Sequence, residues 1–139
     1  MKYYAVIDTN VLVSSLFAAR PDSPTVRVMK AIAQKELIPL YNQEILNEYD
    51  EVLHRRKFPF SEQRIRGALR LFQQNGLHVN PSPTGAILPD MSDLVFYEVV
   101  MEKREDDAYL VTGNLRHFPS RNFIVTPAEM MALIEKGLP

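Results

Sequence analysis

The sequence contains no cysteine and no tryptophan among its 139 residues. The absence of cysteine excludes disulfides, thiolate zinc sites and cysteine nucleophiles. Long uncharged apolar runs are also missing, since no stretch approaches the roughly 18 residues that a membrane span requires. The first residues lack the apolar region and cleavage site of a signal peptide. We therefore expect a cytoplasmic protein with no membrane partner.

The charges nearly balance over the whole chain but are separated along it. Sixteen basic and 17 acidic residues give a net charge of −1, which argues against a strongly basic nucleic-acid binder. Residues 54–70 nevertheless sum to +5, and residues 86–110 sum to −5. Such a chain can hold a cation at one place and a polyanion at another, although two solvated helix faces would give the same sums.

Short apolar segments alternate with helical patterns along the chain. The segments 3–7, 37–40, 78–79, 108–112 and 123–125 are typical of buried strands. Ser23, Asn42, Ser61 and Thr126 are typical N-caps of the helices that follow them. The pattern predicts one domain over residues 1–139, an α/β sandwich with a central parallel sheet of about five strands. In the helix after Ser23 we expect Val26, Met29 and Ala33 to face the core.

Two of the predicted strands end in compact polar sets. Asp8-Thr9-Asn10 follows the first strand, and Thr112-Gly113-Asn114 follows the fourth. Ligands bind beyond the carboxyl ends of strands in open parallel sheets. If the two strands are neighbours, both sets lie at one place, although Asp8 alone could simply cap the next helix.

Two further carboxylates are placed by helical geometry. At 100° per residue, Glu48 falls at the edge of an apolar stripe that includes Ile45 and Tyr49. Asp93 lies one step into an apolar helix and faces inward, where an unpaired carboxylate is unfavourable. Capping suits Asp90 best, and a solvated position remains an alternative for Glu48.

Asp8, Glu48 and Asp93 would repel one another at close range, and a divalent cation relieves that repulsion. Hard oxygen ligands without cysteine favour Mg²⁺ or Mn²⁺ over Zn²⁺. Such a centre suits phosphate-ester hydrolysis. A haloacid-dehalogenase-type phosphatase would need a second aspartate where Asn10 stands. A response-regulator receiver would need a lysine beyond the late strand, where Gly113 and Asn114 stand instead.

Four segments in order resemble the PIN domain family, and most of all its toxin branch from toxin–antitoxin modules. They are the strand with Asp8-Thr9-Asn10-Val11-Leu12, the helix 45–53, Pro89-Asp90-Met91-Ser92-Asp93, and Tyr109-Leu110-Val111-Thr112-Gly113-Asn114. The resemblance implies a three-layer α/β/α fold and metal-dependent ribonuclease activity. It also implies a homodimer and a neighbouring antitoxin that blocks the site.

By position, the resemblance makes Asp8, Glu48 and Asp93 the catalytic, metal-binding carboxylates. Asn114 stands where many members carry a fourth acid, and its amide oxygen can ligate a metal without adding charge. This departure should weaken a second metal. The side chains expected to orient water or carboxylates around the metal are those of Thr9, Asn10, Asp90 and Thr112.

The resemblance also gives the basic residues a role on RNA. The side chains expected to contact its phosphates are those of Arg55, Arg56, Lys57, Arg66, Arg70 and Arg116. We expect His117 to be a surface or capping residue rather than a ligand. Phe58 and Phe60 would form either a turn packed on the core or a partner contact.

The leading hypothesis is a Mg²⁺- or Mn²⁺-dependent endoribonuclease that acts as the toxin of a type II toxin–antitoxin module. The alternative is a non-catalytic or attenuated PIN-like module that binds RNA or protein, and Asn114 is its main support. The two hypotheses predict different results with divalent ions. The endoribonuclease cleaves RNA when they are present, whereas the binding module does not.

Overall fold

A computed structural model describes residues 2–137, and a parallel sheet forms its centre. The strands are Tyr3–Ile7 (β1), Leu37–Tyr41 (β2), Leu77–His78 (β3), Tyr109–Val111 (β4) and Ile124–Val125 (β5). The α-helices are Thr9–Phe17 (α1), Pro24–Ala33 (α2), Gln43–Leu53 (α3), Glu62–Asn75 (α4), Leu94–Glu102 (α5) and Pro127–Lys136 (α6). The strand order is β3-β2-β1-β4-β5, and every neighbouring pair is parallel.

This arrangement confirms the predicted α/β sandwich with five parallel strands. Helix α2 packs against β2, α4 and α6, whereas α5 packs across β1, β2 and β4. None of the helices within residues 2–137 combines the length and hydropathy needed to cross a bilayer.

The helix starts follow from short-range capping. The side chain of Asn42 accepts a hydrogen bond from the Ile45 amide at 2.9 Å and so starts α3. Thr126 and Glu129 form a capping box at the start of α6. Because each cap pairs an otherwise free amide, it fixes where the helix begins. Helix α3 ends at Leu53, before the expected Arg56.

The predicted inward face of α2 is wrong for Ala33, which is exposed, and holds for Met29, which packs half-buried against the core. Val28, Ala31 and Ile32 are the buried positions of this helix. Val26 is half-buried and lines, with Met29, a cleft between α1, α2 and α4. The helix has apolar contacts on two sides, so its sequence periodicity alone did not identify the side that faces the sheet.

The central strand brings the candidate site to the middle of the molecule. Ala5, Val6 and Ile7 are fully buried, because β1 has neighbouring strands on both sides and helices on its faces. Asp8 follows at once, so the first polar residue after the core stands at the carboxyl end of the sheet.

Tyr49 anchors α3 to this strand end. Its ring is fully buried and packs against Phe72 of α4 and Phe96 of α5, with centroids 5.1 and 6.2 Å away. Its hydroxyl donates to the carbonyl oxygen of Ile7 at 2.5 Å. One side chain thus joins three helices to β1 and sets the position of its neighbour Glu48.

Replacing Tyr49 with phenylalanine should lower the free energy of unfolding by about 1–3 kcal/mol. The ring packing would remain, but the buried carbonyl of Ile7 would lose its donor. Urea denaturation of the wild type and Y49F measures the difference.

Tyr41→Phe is the matched control, since Tyr41 is half-buried and its hydroxyl makes no hydrogen bond within residues 2–137. An equal, small effect of both substitutions would show that the Tyr49 hydrogen bond does not anchor the helix.

Candidate active site

Asp8 is fixed by three hydrogen bonds at the carboxyl end of β1. It accepts from the Thr9 amide at 2.8 Å, the Thr112 hydroxyl at 2.7 Å and the Asn10 side-chain amide at 3.3 Å. The carboxylate is 4% exposed. Asp8 therefore starts α1, as the capping alternative expects, while its second oxygen is held by the end of β4.

The two polar sets meet because β1 and β4 are neighbours in the sheet. The Gly113 amide donates to the Asn10 side-chain oxygen at 3.0 Å. The Asn114 amide donates to the Thr112 hydroxyl at 3.0 Å. Thr112 thus accepts from one backbone amide and donates to Asp8, so that its hydroxyl orientation is set.

Glu48 reaches the same region from α3. Its side chain is half-buried and accepts a hydrogen bond from the hydroxyl of Thr9. The helix edge predicted from the apolar stripe therefore faces the end of β1. Thr9 is placed between Asp8 and Glu48, donating its amide to one and its hydroxyl to the other.

Asp93 comes from a third element, the short 3-10 turn Met91–Asp93 that precedes α5. It is 8% exposed, and its Oδ2 accepts no well-aligned hydrogen bond from residues 2–137. The Nδ1 atom of His117 lies 3.1 Å from that oxygen. Asp90, by contrast, accepts from the Ser92 amide and hydroxyl at 3.0 and 2.7 Å and acts as the cap.

The three carboxylates face one cleft of about 390 Å³. Its walls come from α1, α3, the segment after α3, the turn before α5 and the turn after β4. The lining residues are Asp8, Thr9, Asn10, Val13, Ser14, Glu48, Val52, Arg55, Phe58, Asp90, Ser92, Asp93 and His117. Asn114 is half-buried behind His117 and does not line the cleft.

Burial and mutual repulsion make this cleft a poor place for negative charge. Burial raises the pKa of Asp8, although its hydrogen bond from Thr112 opposes the shift. Burial also raises the pKa of Glu48, and the charges of Asp8 and Asp93 add to it. The pKa of Asp93 rises to about 6, through burial first and then the charges of Asp8 and Asp90.

His117 is the residue that sequence reasoning underestimated. It was expected at the surface or as a cap, but its half-buried ring lines the cleft. Its Nδ1 faces Asp93, and its Nε2 lies 2.9 Å from the side-chain nitrogen of Asn114. The three-residue spacing between Asn114 and His117, just after a strand, is the sequence signal that could have indicated this contact.

The basic residues separate into different surfaces. Arg55 lines the cleft and pairs with Glu51 at 3.0 Å, while Arg56 and Lys57 follow it on the exposed surface. Arg66 and Arg70 line a second cavity between α3 and α4, away from the three carboxylates. That cavity also contains the acids Asp50 and Glu62, and Glu62 contacts Arg66 at 3.2 Å. Arg116 is exposed beside His117.

The donor set of the cleft fits a hard divalent cation. It offers three carboxylates with raised pKa values and one buried oxygen that lacks a well-aligned hydrogen bond from residues 2–137. Within residues 2–137, no three such side chains are already drawn together at metal-holding distances. The chemistry of the oxygens therefore fits, and binding would require the carboxylates to move closer to the ion.

The raised pKa of Asp93 predicts a pH-dependent stability of the metal-free protein. The folded state holds this proton up to about pH 6, whereas the unfolded chain releases it near 3.8. Folding therefore binds a proton between these values, and the free energy of unfolding should fall as pH rises from about 4 to about 6.

Asp93→Asn should remove that part of the decline and be at least as stable as the wild type at pH 7. Urea denaturation in EDTA at several pH values measures both proteins. An unchanged slope in the variant would contradict the assignment to Asp93.

Comparison with known proteins identifies the family. The sequence matches the model described as PIN domain over residues 4–116. A crystal structure of PAE2754 from Pyrobaculum aerophilum superposes with a TM-score of 0.59 at 12% identity, over 97% of this chain and 90% of that one.

A second crystal structure, VapBC2 from Rickettsia felis bound to a DNA fragment from their promoter, gives a TM-score of 0.54 at 15% identity. It covers 88% of this chain and 96% of its own. No curated protein matches the sequence. The two structures show a shared fold, and the family match over most of the sequence shows that this chain belongs to the PIN domain family.

Proposed function

We propose that the chain is a metal-dependent endoribonuclease and the toxin of a type II toxin–antitoxin module. PIN domains are generally nucleases that use divalent metal ions. The donor set favours Mg²⁺ or Mn²⁺ in this chain. The family membership supports nuclease activity in general. The RNA substrate and the toxin role are further steps of the proposal, and they come from the resemblance to the toxin branch.

One observation carries the proposal. Asp8, Glu48 and Asp93 come from a strand end, a helix and a turn, and all three line one cleft. Burial raises the pKa of all three, and the charge of Asp8 adds to the shifts of Glu48 and Asp93. Carboxylates with such perturbed pKa values in a cleft are typical of functional sites, and they support a cation as the missing counter-charge.

In the proposed mechanism, Asp8, Glu48 and Asp93 would hold the cation. When bound, it would neutralise charge on the scissile phosphate and activate the attacking water. Thr112, Asn10 and Thr9 keep the carboxylates oriented through hydrogen bonds to Asp8 and Glu48. Asn114 acts through His117, whose Nδ1 lies beside Asp93. A direct metal contact of Asn114 would require its amide oxygen to enter the cleft, which Asn114 does not line.

The proposed RNA path begins at Arg55 on the cleft wall and continues over exposed Arg56 and Lys57. Arg116, beside His117, would approach from the other side. Arg66 and Arg70 line the separate cavity between α3 and α4. In the proposal they therefore contact phosphates at a distance from the cleft. Cationic side chains on both sides of an acidic centre suit a polyanion whose phosphate must enter it.

An antitoxin partner and a homodimer complete the proposal. The similarity in fold to VapBC2 supports an antitoxin partner. The homodimer follows from the family resemblance alone, and light scattering of the purified chain measures it.

Asp8→Asn should abolish metal-dependent RNA cleavage, with a loss of roughly a hundredfold or more. The amide keeps the shape of Asp8 but removes its charge from the centre. The measurement is cleavage of a mixed pool of single-stranded and structured RNA in Mg²⁺, Mn²⁺ or EDTA, with both proteins purified identically.

Glu48→Gln and Glu44→Gln form a matched pair on α3. Glu48 lines the cleft, whereas Glu44 is exposed and lines another cavity. Only the Glu48 substitution should reduce cleavage.

Cleavage that persists in D8N would contradict the assigned centre. If every divalent ion fails to give turnover while RNA binding survives EDTA, the alternative of a non-catalytic binding module takes its place.

A further inference from the structure

Three phenylalanines form a cluster at one end of the cleft. Phe58 and Phe60 stack with ring centroids 5.5 Å apart and planes 23° apart. Phe17, at the end of α1, packs against both rings, 5.6 Å from Phe58 and 4.8 Å from Phe60. Phe17 is 51% exposed, and the other two are half-buried. The cluster therefore lies at the surface, and the packing of its rings fixes their orientation.

Only Phe58 of the three lines the cleft that contains Asp8, Glu48 and Asp93. Arg55 lines the same cleft three residues earlier. The ammonium of Lys57 lies 5.2 Å from the centroid of the Phe58 ring, and the guanidinium of Arg64 lies 5.4 Å from that of Phe60. The aromatic ring that lines the cleft thus has one cation over it and shares the cleft with another, Arg55.

We propose that Phe58 is a stacking platform for an unpaired RNA base next to the phosphate in the cleft. Aromatic rings bind single-stranded nucleic acids by stacking on bases, while neighbouring Lys and Arg contact the backbone. Phe60 and Phe17 hold the Phe58 ring in place. Arg55 and Lys57 contact the phosphates on either side of the stacked base.

The surrounding charges favour RNA over a protein partner at this surface. Three cations, Arg55, Lys57 and Arg64, lie at or beside the aromatic cluster, and a polyanion is the partner that gains most from all three. A base can reach Phe58 only when it is unpaired, so the platform directs the site to single strands and loops. This inference rests on the proposed function, because it assumes that an RNA phosphate occupies the cleft.

The test is binding of an oligoadenylate of about eight nucleotides, in the range of single-strand site sizes, and of its abasic counterpart. The abasic chain keeps the phosphates but has no bases to stack. Fluorescence anisotropy in Mg²⁺ gives both affinities, and an Asp8→Asn background prevents cleavage. In that background, Phe58→Leu should weaken oligoadenylate binding by roughly five- to a hundredfold and leave abasic binding unchanged.

Phe58→Tyr keeps a ring and should retain the affinity for oligoadenylate. Ile87→Ala is the control, because it removes an exposed apolar side chain that neither lines the cleft nor belongs to the phenylalanine cluster. Circular dichroism melting of each variant confirms folding.

Several outcomes overturn the inference. They are no binding of oligoadenylate, an unchanged affinity in F58L, or an equal loss on both oligonucleotides. If F58L leaves RNA binding intact but weakens binding of an antitoxin, the cluster is a protein contact.

The inference and the proposed nuclease activity can fail separately. Cleavage by the wild type with no effect of F58L would refute only the stacking platform. If F58L weakens binding of oligoadenylate but not of the abasic chain, and the wild type cleaves no RNA, only the proposed nuclease activity is refuted.

Discussion

The hydrogen bond from Tyr49 to the carbonyl of Ile7 joins the candidate site to the core. It fixes α3 against the end of the central strand, while the ring packs against α4 and α5. Glu48 precedes Tyr49, and Asp8 follows Ile7. The distance between the carboxylates of Glu48 and Asp8 therefore depends on a contact inside the core.

In the metal-free protein, the three carboxylates face one cleft without a counter-charge between them. Asp8 is satisfied by Thr112, Asn10 and the Thr9 amide, but Asp93 keeps one buried oxygen without a well-aligned donor. This unfavourable arrangement is typical of sites where a ligand supplies the missing interaction. A cation bound in the cleft would therefore raise the free energy of unfolding, because it would supply the interaction that Asp93 lacks.

Sequence patterns were sufficient for the parts of the fold that local chemistry determines. Buried runs and helix caps involve residues that are neighbours in the sequence, so they could be predicted. Among them are the strand β1, the caps Asn42 and Thr126, and the polar sets after β1 and β4. The adjacency of β1 and β4 then brings together Asp8 and Thr112, which are 104 positions apart in sequence.

Other contacts depend on topology that no local pattern contains. The hydrogen bond from Tyr49 to Ile7 joins residues 42 positions apart. The apolar periodicity of the helix predicted only that Tyr49 is on its buried side. His117 was expected at the surface or as a cap because the predicted site already offers hard oxygen ligands, yet its short turn directs the ring towards Asp93. Arg66 and Arg70 share a helix face, as predicted, but the position of α4 relative to α3 determines which cavity they line.

The central claim is that Asp8, Glu48 and Asp93 form one cation-binding centre. A crystal structure of the protein grown with Mn²⁺ at neutral pH tests it most directly, through the anomalous signal of the metal. The account predicts a peak in the cleft with oxygens of all three residues at roughly 2.1 Å, the distance typical of a small hard cation. A cleft without a peak, or a peak that contacts none of these carboxylates, would contradict it.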